Sequence, residues 1–89
     1  SFNKNVDFAG RIVWEEVKDA QGNVVNDENG NPLKHEVFNF GKYKGWDVAE
    51  ILTKDPGYFT WVLGSDFTNN TKQVLTRIRL REFNKRMGK

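Results

Sequence analysis

The spacing of apolar positions changes character along the chain. Residues 11–17, Arg-Ile-Val-Trp-Glu-Glu-Val, are β-branched and aromatic, a composition that fits a pleated, half-buried surface. Residues 34–40 alternate, with His35, Val37 and Asn39 on one side and Glu36, Phe38 and Phe40 on the other. Two turn signals separate these runs, Gln21-Gly22-Asn23 and Asn29-Gly30-Asn31-Pro32, with Val24-Val25 between them. The pattern predicts a small antiparallel β-hairpin, or a three-stranded meander, over residues 11–40.

Beyond Trp46 the pattern is helical. In Asp47-Val48-Ala49-Glu50 the Asp47 carboxylate can accept from the Glu50 amide while Glu50 reaches back, and Trp46 and Ile51 are spaced as a hydrophobic staple. Pro56 disfavours helical geometry at Asp55, so this helix spans residues 47–54. Asp55 and Pro56 then read as N-cap and first residue of a second helix over 56–63, with Tyr58, Trp61 and Val62 on one face. Gly64 suits a left-handed C-terminal position. A third helix over 70–86 starts at Asn70, with Gln73 as its capping partner. Val74, Leu75 and Ile78 share one of its faces, and Leu80, Phe83 and Met87 share another. Such a helix either buries two faces or bends or frays near Arg79. Residues 76–81 also alternate as a strand would, but the capping signal and the length favour helix. The predicted class is α+β, with no internal repeat and no linker.

Eighty-nine residues make one domain with a thin core, which the aromatic side chains must supply. The absence of cysteine excludes disulfides and thiolate metal sites and agrees with a reducing, cytoplasmic setting. No apolar run approaches the roughly 20 residues of a membrane span. Ser1 opens a polar segment with no signal-peptide pattern, and the chain reads as a piece cut from a longer protein or processed at its start. Charge is segregated. Residues 1–40 hold four Lys/Arg against seven Asp/Glu, whereas residues 41–89 hold ten against five. From Lys72 onward only Glu82 opposes the basic residues. This asymmetry points to a polyanionic partner, or to a solvated helix surface.

No catalytic constellation emerges. His35 is the only histidine, and the neighbouring Glu36 points to the opposite strand face. Glu15-Glu16 and Asp27-Glu28 do not form an acid/base pair. Asp27, Asn29 and Asn31 copy the start of a calcium loop, but Pro32 and Phe38 stand where glycine and glutamate are required. The turn Gly41-Lys42-Tyr43-Lys44-Gly45 can expose amides and two ammoniums to a phosphate, or can be a tight turn whose glycines serve geometry. Phe38 and Phe40 belong to the core, which leaves Tyr43 as the exposed ring for base stacking. Arg77, Arg81 and Lys85 form a row at i, i+4, i+8 that suits phosphate contacts or plain solubility.

The segment from Glu36 to Arg81 resembles the small C-terminal domain of exodeoxyribonuclease X-like proteins, 3′–5′ exonucleases related to the DNA polymerase III epsilon subunit of bacteria. The likeness lies in Phe38-Asn39-Phe40-Gly41-Lys42-Tyr43-Lys44-Gly45, in Asp55-Pro56-Gly57-Tyr58-Phe59-Thr60-Trp61, and in Asp66-Phe67 with Thr71-Lys72. Phe8-Ala9-Gly10-Arg11-Ile12-Val13 is similar to the joining strand of that family. The resemblance implies a non-catalytic accessory module cut from the C-terminus of a longer exonuclease. The two metal ions of the chemistry then belong to an upstream exonuclease domain outside this chain, and no cofactor is expected here. The expected partners are that upstream domain and DNA, held weakly by Lys42, Lys44, Arg77, Arg81 and Lys85, with Tyr43 stacking on a base. The alternative is a protein-interaction or structural module that docks through Trp46 or Tyr43.

Overall fold

In a computed structural model, which describes residues 3–88, the two alternating runs pair as β1 (Ile12–Glu16) and β2 (Lys34–Phe38). They are antiparallel, in a register from Ile12 opposite Phe38 to Glu16 opposite Lys34. Three helices follow: α1 (Val48–Lys54), α2 (Pro56–Leu63) and α3 (Asn69–Gly88). The α+β class is as expected, in its two-stranded form. The hairpin is buried at one end only: Ile12, Val13, Val37 and Phe38 are inside, while Glu15, Glu16 and Lys34 are exposed.

The tip of the hairpin corrects the expectation of no internal repeat. Residues 17–25, Val-Lys-Asp-Ala-Gln-Gly-Asn-Val-Val, and 25–33, Val-Asn-Asp-Glu-Asn-Gly-Asn-Pro-Leu, are two copies of one pattern, offset by eight residues. In the first copy the Asp19 carboxylate accepts from the Gln21 and Asn23 amides at 3.0 and 2.9 Å. In the second, Asp27 accepts from Asn29 and Asn31 at 2.8 and 3.0 Å. These are Asx turns, which a short carboxylate forms with its own downstream backbone. The copies close on each other in a ring: Val17 N–H donates to Leu33, Leu33 N–H to Val25 and Val25 N–H to Val17, each at 2.9 Å.

The N-terminal segment runs along the free edge of β1, where Trp14 N–H donates to Lys4 and Val6 N–H to Ile12. It then buries Asp7, whose carboxylate accepts from the Ile12 amide at 3.0 Å and the Thr71 hydroxyl at 2.5 Å. A buried carboxylate needs such donors. That need moves the start of α3. The helix opens at Asn69, the Thr68 hydroxyl accepts from the Thr71 amide at 3.4 Å, and Asn70 is taken up by the Phe8 amide at 2.7 Å. Asn70 with Gln73 is therefore not the cap.

Ile12, Phe38 and Phe40 pack with Val48 and Ile51 of α1, Tyr58, Phe59 and Val62 of α2, and Val74, Leu75 and Ile78 of α3. The second apolar set of α3 is not core. Leu80, Phe83 and Met87 are exposed on a helix that continues unbroken to Gly88. Burial stops at Ile78, so the C-terminal part of α3 overhangs the core and needs neither a second buried face nor a bend. Gly64 is right-handed, at φ −88°, and α2 closes instead through the Ser65 hydroxyl donating to the Val62 carbonyl at 2.6 Å. No helix among the described residues is long and apolar enough to cross a membrane.

Candidate nucleic-acid interface

The loop after β2 makes one 3₁₀ turn at Gly41–Tyr43 and returns to the strand it left. Gly41 and Gly45 take φ of +68° and +90°, where side chains are strained. The turn uses its own amides. Lys44 N–H donates to Gly41, Gly45 N–H to Phe38 and Trp46 N–H to Tyr43, at 3.2, 2.8 and 2.9 Å. Of the two readings of this turn, the geometric one holds for these three amides.

Tyr43 is not the exposed ring. It is half-buried, meets Tyr58 edge-to-face at 4.8 Å, and donates its hydroxyl to Asp55 Oδ2 at 2.6 Å. This hydrogen bond raises the phenol above its ordinary range and lowers the carboxyl below its own, the latter helped by the Lys42 charge. It also diverts Asp55 from the expected N-cap role, since no side-chain hydrogen bond caps α2. Asp47 does cap α1, accepting from the Glu50 amide at 2.8 Å. Its other oxygen meets His35 Nδ1 at 2.5 Å, and Glu50 pairs with Lys54 instead of reaching back. The lone histidine thus ties β2 to the start of α1.

The basic residues differ in their freedom. The Lys42 ammonium lies 3.8 Å from Asp55 and 5.1 Å from the centre of the Tyr43 ring. Lys44 is exposed and forms no ion pair among the described residues. Arg77 is likewise exposed and unpaired. Arg81 is held: its guanidinium forks onto the buried Glu36 at 2.7 and 3.1 Å and also reaches Glu82. The Glu36 hydrogen bonds push its pKa further up. Lys85 lies 3.4 Å from Glu82.

Two surface grooves hold Lys42, Arg77, Arg81 and Lys85 between them, and Tyr43 and Lys44 line neither. The first, about 420 Å³, contains Lys42 with Gly41, Asp55, Gly57, Tyr58 and Trp61. The second, shallow and about 950 Å³, follows α3 and contains Arg77, Arg81 and Lys85 together with Asn69, Lys72, Gln73 and Thr76. The sequence pointed to neither Lys72, Gln73 and Thr76 nor Trp61 as site residues. A signal for the first three was present: no acidic residue occurs between Asp66 and Glu82, within a segment read as helix. Trp61 had none, because its spacing matches that of buried Tyr58 and Val62. No cluster of three His, Asp or Glu side chains suited to a metal occurs among the described residues.

Residues 38–65 match the family described as Exodeoxyribonuclease X-like C-terminal. The match takes in the turn and the whole of α1 and α2. The proteins named Exodeoxyribonuclease 10 in two strains of Escherichia coli are each 35% identical to the chain over 54 residues. That stretch is 61% of this chain and 22% of theirs, so the chain corresponds to about a fifth of these relatives. No solved structure matches it.

Proposed function

The chain carries an exodeoxyribonuclease X-like C-terminal domain, and from that premise we propose that it is a non-catalytic accessory module that holds DNA for a 3′–5′ exonuclease domain of the same polypeptide. The observation that carries this reading is the face of α3 bearing Lys72, Gln73, Thr76 and Arg77, which has cations and hydrogen-bonding side chains but no acid of its own. Phosphates are met by such cations, and the Gln73 amide adds a donor, while the Thr76 hydroxyl donates to the Lys72 carbonyl. DNA is the polyanion because the matched relatives are named exodeoxyribonucleases. Tethering raises the local concentration of substrate at the catalytic domain without new chemistry. On this reading the module works in the cytoplasm, and any divalent metal serves the exonuclease domain.

Isolated binding is weak, with Kd of roughly 10⁻⁴–10⁻⁶ M. Fluorescence anisotropy with labelled single- and double-stranded oligonucleotides at low salt tests it. Lys72→Ala with Arg77→Ala should weaken binding roughly tenfold or more. Absence of binding, or an unchanged double variant, removes the proposal.

A second reading rests on Leu80, Phe83 and Met87, exposed on the overhanging end of α3. They suit a protein surface such as the exonuclease domain, and exposed apolar stripes commonly mark such contacts. Phe83→Ser would then weaken docking to that domain while leaving oligonucleotide affinity intact.

A further inference from the structure

Trp61 stands apart from the rest of the aromatic cluster. It is 57% exposed on a helix whose Tyr58, Phe59 and Val62 are buried. Its ring is nevertheless held. Tyr58 stacks on it at 5.5 Å and 26°, and Phe67 meets it edge-on at 6.2 Å and 76°. A large apolar ring fixed in orientation and left in water is a platform for another flat ring.

The groove beside it has polar groups suited to the edge of such a ring. Asp55 Oδ2 is taken by the Tyr43 hydroxyl and approached by Lys42. Oδ1 accepts no hydrogen bond of normal geometry among the described residues, the nearby Tyr58 amide acting on the carboxylate as a whole, and it faces Gly57, where an added Cβ would lie 3.6 Å away. Lys42 is largely exposed, so its ammonium retains donors for a ligand. Gly57 leaves the space beside Oδ1 open, and Gly41 lets the backbone approach the Tyr58 hydroxyl, which an added Cβ would meet at 2.8 Å. Its volume of about 420 Å³ lies within the range of small-molecule sites.

We propose that this groove binds one base of single-stranded DNA, stacked on Trp61, with its exocyclic amine donating to Asp55 and with Lys42 on a base carbonyl or the adjoining phosphate. Thymine offers an ionised carboxylate only its imide N3–H, flanked by two carbonyls that repel it, whereas the other bases offer a projecting exocyclic amine. Cytosine, adenine and guanine are therefore preferred over thymine. The inference rests on the DNA-holding reading and adds a base-selective contact, carried by α2, to the phosphate contacts of α3.

The test uses three oligomers of equal length at neutral pH and low salt: oligo(dC), oligo(dT) and an abasic sugar-phosphate chain. The chain should bind oligo(dC) several-fold more tightly than oligo(dT), and the abasic chain about tenfold more weakly than oligo(dC). Trp61→Ala should abolish the advantage of bases over the abasic chain and leave abasic affinity unchanged. Trp61→Phe should restore part of the advantage, and Asp55→Asn should remove the preference for oligo(dC) over oligo(dT). Equal binding of all three oligomers by the unaltered chain overturns the base site while the DNA-holding reading stands. So does a Trp61→Ala variant that still prefers bases. Binding to none of the three overturns both.

Discussion

Tyr43 and Asp55 show how one hydrogen bond redirects two residues from the roles their neighbours suggest. Asp55 before Pro56 is a standard N-cap pattern, but the phenol takes the carboxylate, and helix α2 begins without a side-chain cap. The contact has a pH signature at both ends. The Asp55 carboxyl is lowered in the fold from the ordinary 3.8, so its contribution is present above that value and is lost as acid titrates the folded group. The Tyr43 phenol is raised above the ordinary 10.0, so its contribution is present below that value and is lost as pH rises through the folded pKa. Burial and the Asp55 charge raise Tyr58 as well, so ultraviolet titration should show both phenols ionising late. Tyr43→Phe should halve the late phenolate signal, leaving that of Tyr58, and flatten the acid limb of thermal stability. An unchanged alkaline titration in Tyr43→Phe would contradict the assignment. At this scale the sequence was legible where a side chain acts on its own backbone, as in the Asp47 cap. It was opaque where a distant partner competes. Asn70, recruited by Phe8 from 62 positions away, is the plainest case.

The two turn signals in the hairpin were visible, but their kinship was not. Gly-Asn recurs in both, whereas the equivalence of Asp19 with Asp27, and of Val17 with Val25 and Leu33, emerges from the ring of three amides. That ring makes a prediction about a whole element. Val25 already donates to Val17, and Lys18 already bridges Val24. Deleting residues 26–33 would join Val25 directly to Lys34, so that Val25 could also accept the Val17 amide now given to Leu33. The shortened hairpin should keep the β1–β2 register and melt close to the full chain, because the core lies at the other end of the strands. Circular dichroism with thermal melting checks this, and loss of cooperative unfolding would show that the second copy supports the fold. The helices were legible for a different reason. Pro56 and the Asp47 cap are local signals that packing does not override, so α1 and α2 fall where expected. The length of α3 was nearly right as well. What failed was the inference that every apolar stripe is buried. Leu80, Phe83 and Met87 have the composition of a core face but lie past Ile78, where burial of the helix stops.

For the molecule as a whole, the basic excess of the C-terminal half divides into charges paired inside the domain and charges without an ion pair among the described residues, and sequence could not draw that line. Arg77 and Arg81 sit one turn apart, yet Arg81 is forked onto the buried Glu36 of β2 while Arg77 is exposed and forms no ion pair among the described residues. The two kinds of cation should separate in paired measurements. Arg81→Met leaves Glu36 buried without its main partner. Allowing for the solvent exposure of the guanidinium, this should lower stability by about 1–3 kcal/mol and the melting temperature accordingly. Its effect on the salt dependence of DNA binding should be small, because the charge removed is already neutralised. Lys72→Ala with Arg77→Ala should do the reverse. Melting should hardly move, and the slope of log K against log salt should become shallower by about 1.4, at about 0.7 for each single-strand phosphate no longer neutralised. If Arg81→Met flattens the slope as much as the double variant does, the pairing with Glu36 opens when DNA binds, and the division into structural and functional cations is wrong. If neither substitution changes the slope, α3 does not carry the phosphate contacts, and its exposed apolar stripe becomes the better guide to what this module holds.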